Sequence, residues 1–133
     1  VPELEDRIRI YGMWSKCRSV TSVGWFVNDM VGDVEAVAAD AYEASVQVLN
    51  TSGAETIIMG CTIVSACYEK VALDNEGYRK LSVINPNIVA LKQAEMLADL
   101  NRQGQYRISR SAYYEPLDAH DPTAAAEVLD LLG

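Results

Sequence analysis

The feature that most limits how this chain can fold is an alternation. Short apolar runs of β-formers are followed, repeatedly, by longer segments with helical spacing. Strands are predicted near Arg18–Val23, Thr56–Gly60 and Ser82–Ile84. Leu4–Met13 reads as the end of a helix, and further helices are predicted over Asp33–Ser52, over Thr62–Leu73 and over Ile88–Gln103. Asp33 is a good N-cap, Gly53 and Gly104 follow helix ends, and Asp74-Asn75-Glu76-Gly77 reads as a polar loop. Strand–helix–strand order requires right-handed crossovers, which build a parallel sheet. The expected fold class is therefore α/β, a parallel three-layer sandwich with helices over both faces of a three-stranded sheet.

Residues 1–104 are expected to form this α/β lobe, and residues 105–133 an extended tail with a C-terminal helix. In that tail Asp121 would cap, Pro122 would occupy the first turn, and Val128, Leu129 and Leu132 would form the apolar side. The Tyr- and Arg-containing stretch "YRISRSAYYEP" is read as packing against the body rather than as a nucleic-acid patch, because the chain carries a net charge of −8. No apolar run approaches the ~18 residues of a membrane span. Val1-Pro2-Glu3-Leu4-Glu5-Asp6 has neither an initiator Met nor the basic start of a signal peptide. The expectation is a fragment or a trimmed product, in the cytoplasm, with no nucleic-acid or membrane partner.

The three cysteines, Cys17, Cys61 and Cys67, are odd in number and widely spaced, which argues against a disulfide framework. They show no CxxC pair, and His120 is the only histidine, so no metal site is expected. Position singles out Cys61. In open parallel sheets ligands bind beyond the carboxyl ends of the strands. Two predicted strands end there in Gly60-Cys61-Thr62 and in Asn85-Pro86-Asn87. Gly60 would let a ligand approach closely. Cys61 would stand at a helix N-terminus, where free N–H groups and the positive dipole end favour a thiolate and can hold a carboxylate. Thr62 adds a hydroxyl donor. Pro86 stops the strand, Asn87 is read as the cap of the next helix, and both, with Gly60 and Thr62, are read as substrate-binding residues. A thiolate beside a carboxylate cradle suits proton abstraction at the adjacent carbon, or nucleophilic attack. The structural alternative is that Cys61 is a small buried hydrophobe, as free cysteines often are. Cys67 and Cys17 are read as packing residues and His120 as a surface residue.

"AETIIMGCT", "LSVINPNIVALKQAEMLADL" and "IYGMWSKCRSVTSV", in their order, resemble the C-terminal half of the aspartate/glutamate/hydantoin racemase superfamily, nearest its hydantoin-racemase branch. The likeness runs from about Ile10 to about Leu100. It implies one lobe of a two-lobed racemase-like fold, with substrate between the lobes and one strand-end cysteine from each. Cys61 matches the second of those cysteines. Nothing in this chain corresponds to the first, or to the N-terminal lobe that carries it. The implied activity is cofactor-independent racemisation of an amino acid or hydantoin. The implied partners are a small carboxylate or hydantoin substrate, the missing lobe or another chain, and further copies in a homo-oligomer. Two other readings stay open. One is a single-cysteine decarboxylase or cis-trans isomerase of the same superfamily; the other is a non-catalytic carboxylate-binding module.

Overall fold

In the computed structural model, residues 1–107, 109, 123, 126 and 130 are described. Most of the expected C-terminal helix and of the tail, and His120, lie outside these residues; Thr123, Ala126 and Asp130 are helical. The chain divides into two compact units, Val1–Lys92 and Gln93–Gly133.

Helix α1 spans Pro2–Ile10 and is followed by Gly12, whose φ of 69° turns the chain away. A single 3-10 turn, Trp14–Lys16, and a one-turn helix α2, Val27–Met30, flank an irregular stretch. Helix α3, Val34–Ser52, starts and stops where the caps require. The Asp33 carboxylate accepts the Ala36 N–H, and Gly53 ends the helix in the left-handed conformation, which suits a residue without Cβ. Strand β1 is Ile57–Ile58, helix α4 is Thr62–Asp74, helix α5 is Glu76–Arg79, strand β2 is Val83–Ile84 and helix α6 is Pro86–Arg102.

The described residues are mostly helical, with β1 and β2 paired in parallel, Ile57 opposite Val83 and Ile58 opposite Ile84. The Ile57 N–H donates to the Ser82 carbonyl at 2.9 Å and the Met59 N–H to that of Ile84 at 3.2 Å. A mixed α/β fold and the parallel pairing of these two segments follow the predicted alternation.

Three expectations are corrected. Residues 18–26 form no strand. Gly24, at φ 77°, breaks the extended run, and its N–H turns back to the Ser22 hydroxyl at 3.2 Å, a local bond that competes with a ladder. Trp25 instead donates its indole N–H to Asp40 on α3 at 2.8 Å. Second, the polar loop after α4 contains a helical turn, because the Asn75 side chain accepts the Gly77 N–H and caps α5. Third, among the described residues the sheet packs against the core on one face only. Alternation puts Ile57, Met59 and Val83 on one side, and these pack against the core. Ile58 and Ile84 point the other way, 66% and 40% exposed.

The core lies between that covered face, α3 and α4. Val64, Tyr68 and Ala72 recur every fourth residue and so share a stripe of α4. Val37, Ala38, Ala41 and Ser45 form the buried stripe of α3, and their small side chains let the two helices approach. Tyr78 closes one side by stacking on Tyr42 at 4.5 Å and tilting against Tyr68 at 5.3 Å. The apolar stripe of α6 is different: none of its residues is buried, and Leu91 is 55% exposed.

Candidate functional site

The parallel pairing carries both strand ends to one edge. Gly60-Cys61-Thr62 leads from β1 into α4, and Asn85-Pro86-Asn87 leads from β2 into α6. Cys61 is the N-cap residue of α4, in extended conformation at φ −113° and ψ 127°, and is partly exposed. Its side chain does not cap the helix. The Ser65 N–H is the first to bond back, to the Cys61 carbonyl at 3.0 Å. By helix geometry the N–H groups of Thr62, Ile63 and Val64 have no intrahelical acceptor. They follow Cys61 in the first turn of α4, where Thr62 is exposed.

Gly60 lies between β1 and α4. A Cβ there would lie 3.2 Å from the Leu4 Cδ2 of α1, the tip of a flexible side chain. Pro86 is the first residue of α6. The cap of that helix is Asn85 rather than Asn87, since the Asn85 Oδ1 accepts the Asn87 N–H at 2.9 Å. Asn87 has another task. Its Nδ2 donates to the Thr62 carbonyl and to the Ser65 hydroxyl, both at 3.0 Å. Ser65 in turn donates to the Thr62 carbonyl at 2.9 Å. A closed triangle thus ties the end of β2 to the first turn of α4.

Ser65 was not singled out by the sequence reading, yet it is 1% exposed and sits at the centre of this network. The signal was a polar residue on the same stripe as Val64, Cys67 and Tyr68.

Cys67 lies in the core, 5% exposed, with its thiol 3.9 Å from the Met30 carbonyl. Burial pushes its pKa up, and the neighbouring Cys61 adds to that in its charged form. Cys17 is partly exposed, and its thiol donates to the Ser19 carbonyl at 3.5 Å.

A shallow cleft of about 170 Å³ lies along α4, α5 and β2, lined by Ser65, Tyr68, Glu69, Tyr78, Arg79 and Asn85 among others. Cys61 does not line it. Among the described residues no group of three or more His, Cys, Asp or Glu is placed to hold a metal ion. No helix of these residues is long and apolar enough to cross a membrane.

The arrangement offers one accessible thiol, at a turn with open N–H donors, beside an exposed hydroxyl. It can hold an anionic group near a sulfur that gives or takes a proton. No protein-family model, curated protein or solved structure matches the chain.

Proposed function

We propose that this chain is one lobe of a cofactor-independent amino-acid or hydantoin racemase, a two-lobed α/β protein in which Cys61 is one of two acid/base thiols. The observation that carries the reading is the convergence at one sheet edge. Parallel pairing sets Gly60-Cys61-Thr62 beside Asn85-Pro86-Asn87, and Cys61 stands half-open at the start of α4. The likeness of the three quoted stretches to the racemase superfamily points the same way.

In this reading the substrate carboxylate, or the hydantoin carbonyl in its place, lies against the N–H groups of Thr62, Ile63 and Val64. The positive end of α4 favours it there. Gly60 leaves room for the substrate to come close, and Thr62 and Pro86 border it. Asn87 stands behind the first turn of α4. The Cys61 thiolate takes the proton from the carbon next to the carboxylate, which leaves a planar carbanion whose charge spreads onto the oxygens held by the N–H groups. A thiol on the opposite face returns a proton to that carbon. The product has inverted configuration, and the two sulfurs have exchanged protonation states.

The opposing thiol belongs to the other lobe or to a second chain. Cys67 cannot serve, because it is buried and lies about 9 Å further along the helix at ~1.5 Å per residue. The exposed Ile58 and Ile84 face is a separate surface from the strand-end edge, and its apolar side chains favour a covering layer. In the finer architecture proposed here, that covering completes a three-layer sandwich.

The test compares alkylation of Cys61 by iodoacetate and by iodoacetamide in the folded chain, read by peptide mass mapping. A carboxylate cradle raises the iodoacetate-to-iodoacetamide rate ratio at Cys61 above that at Cys17, and aspartate, glutamate or a 5-substituted hydantoin competes. An equal or lower ratio at Cys61, without competition, contradicts the reading. The chain alone should not racemise these compounds, because one thiol cannot stand on both faces of a held substrate.

A further inference from the structure

We propose that Asn87 is a positioning residue: it sets the first turn of α4, and through that turn the direction of the Cys61 thiol and of the N–H groups around it. The inference rests on the reading of Cys61 as an acid/base, and it assigns Asn87 to the helix rather than to the substrate.

Asn87 is anchored at the end of β2, because its own N–H is held by the Asn85 Oδ1 at 2.9 Å. Its amide then reaches across 25 residues of sequence to the Thr62 carbonyl. A carbonyl only accepts, so the amide must present its nitrogen there. The second hydrogen of the same nitrogen goes to Ser65 Oγ at 3.0 Å, and Ser65 passes its own proton to the Thr62 carbonyl at 2.9 Å. Both donors of the Asn87 side chain are therefore occupied, and none is left for a substrate carboxylate.

The triangle grips α4 at Thr62 and Ser65, the residues one and four positions after Cys61. The Ser65 N–H also closes the first helical bond onto the Cys61 carbonyl at 3.0 Å. Ser65 is 1% exposed, so its hydroxyl has little access to water when the amide is removed, whereas the Thr62 carbonyl stands nearer solvent. Losing the amide frees the turn to fray. The N–H groups and the Cys61 side chain then lose their fixed place at the start of α4.

The test needs no substrate. Cys61 alkylation by iodoacetamide is followed by peptide mapping across pH in the 133-residue chain, with Cys17 as the internal control. Asn87→Leu keeps the size and adds no charge. It should slow Cys61 about two- to fivefold near neutral pH, the range a helix terminus is worth, and so alter its profile. Cys17 should not change. Ser65→Ala removes one side of the triangle and should shift Cys61 the same way by less. A folded Asn87→Leu chain with the wild-type Cys61 profile overturns the proposal. Should that variant fail to fold, Ser65→Ala decides by the same criterion. The outcome is separate from the proposed function: an unremarkable wild-type ratio of iodoacetate to iodoacetamide counts against the carboxylate site, whereas an unchanged profile in the variants counts against Asn87 alone.

Discussion

Cys61 and Cys67 are the same residue type on one helix segment, six positions apart, and the fold treats them differently. Cys61 caps α4 at the strand edge, partly exposed, with the dipole's positive end behind it. Cys67 faces α3, 5% exposed, its thiol near the Met30 carbonyl and its pKa raised by burial. Neither composition nor residue identity separates them. What separates them is the boundary between β1 and α4, which leaves one sulfur at the open end of the helix and rotates the other into the core. Exposure at Cys61 and packing at Cys67 are two consequences of one local geometry.

The largest expected effect would break the comparison outright. In the two-thiol enzyme proposed above, Cys61→Ala should lower α-proton exchange by about 10²- to 10⁴-fold, the usual worth of a positioned acid or base. Deuterium wash-in from D₂O measures it. Cys67→Ala should leave exchange nearly intact.

The next effect concerns the core that holds Cys67. Tyr68 packs beside it, and its hydroxyl donates to the Tyr78 carbonyl at 2.9 Å. Burial, then the charges of Tyr42, Tyr78 and Glu69, push its pKa from 10.0 to about 12. The folded state therefore holds the phenol proton more tightly than the unfolded state does. Stability from this group is complete below pH 10 and falls as pH rises from 10 towards 12. Urea melts across that window should show the decline, and Tyr68→Phe should flatten it.

A smaller effect sharpens the role of Cys67 itself. Cys67→Ala removes one buried atom and should cost about 1 kcal/mol in a urea melt. The Cys61 alkylation profile should stay where it was. The smallest effect is at Gly60, where a new Cβ meets only the mobile tip of Leu4 at 3.2 Å. Gly60→Ala should cost about 0.5 kcal/mol or less. Any larger loss in exchange would then report crowding of the substrate.

Much of this geometry was legible beforehand. The caps of α3 were readable because Asp33 and Gly53 act locally, through one side-chain bond and one backbone conformation. The β1–α4 turn was readable because a short apolar run ended at a glycine. The strand predicted at 18–23 was not formed, because pairing depends on a distant edge while Gly24 and Ser22 act within two residues. The uncovered Ile58 and Ile84 face escaped for a related reason: alternation predicts that a strand has two faces, not that something covers both. Asn87 was picked out, but as a cap and substrate contact. Its bonds to Thr62 and Ser65 join residues 25 and 22 apart, and only the folded chain brings them together.

The most direct measurement is iodoacetamide labelling of the native chain near neutral pH, with the rates at Cys61 and Cys67 resolved by peptide mapping. The account predicts that Cys61 labels readily, whereas Cys67 stays protected until denaturant unfolds α4 from α3. Labelling of Cys67 ahead of Cys61 under native conditions, or equal rates at the two, would contradict it.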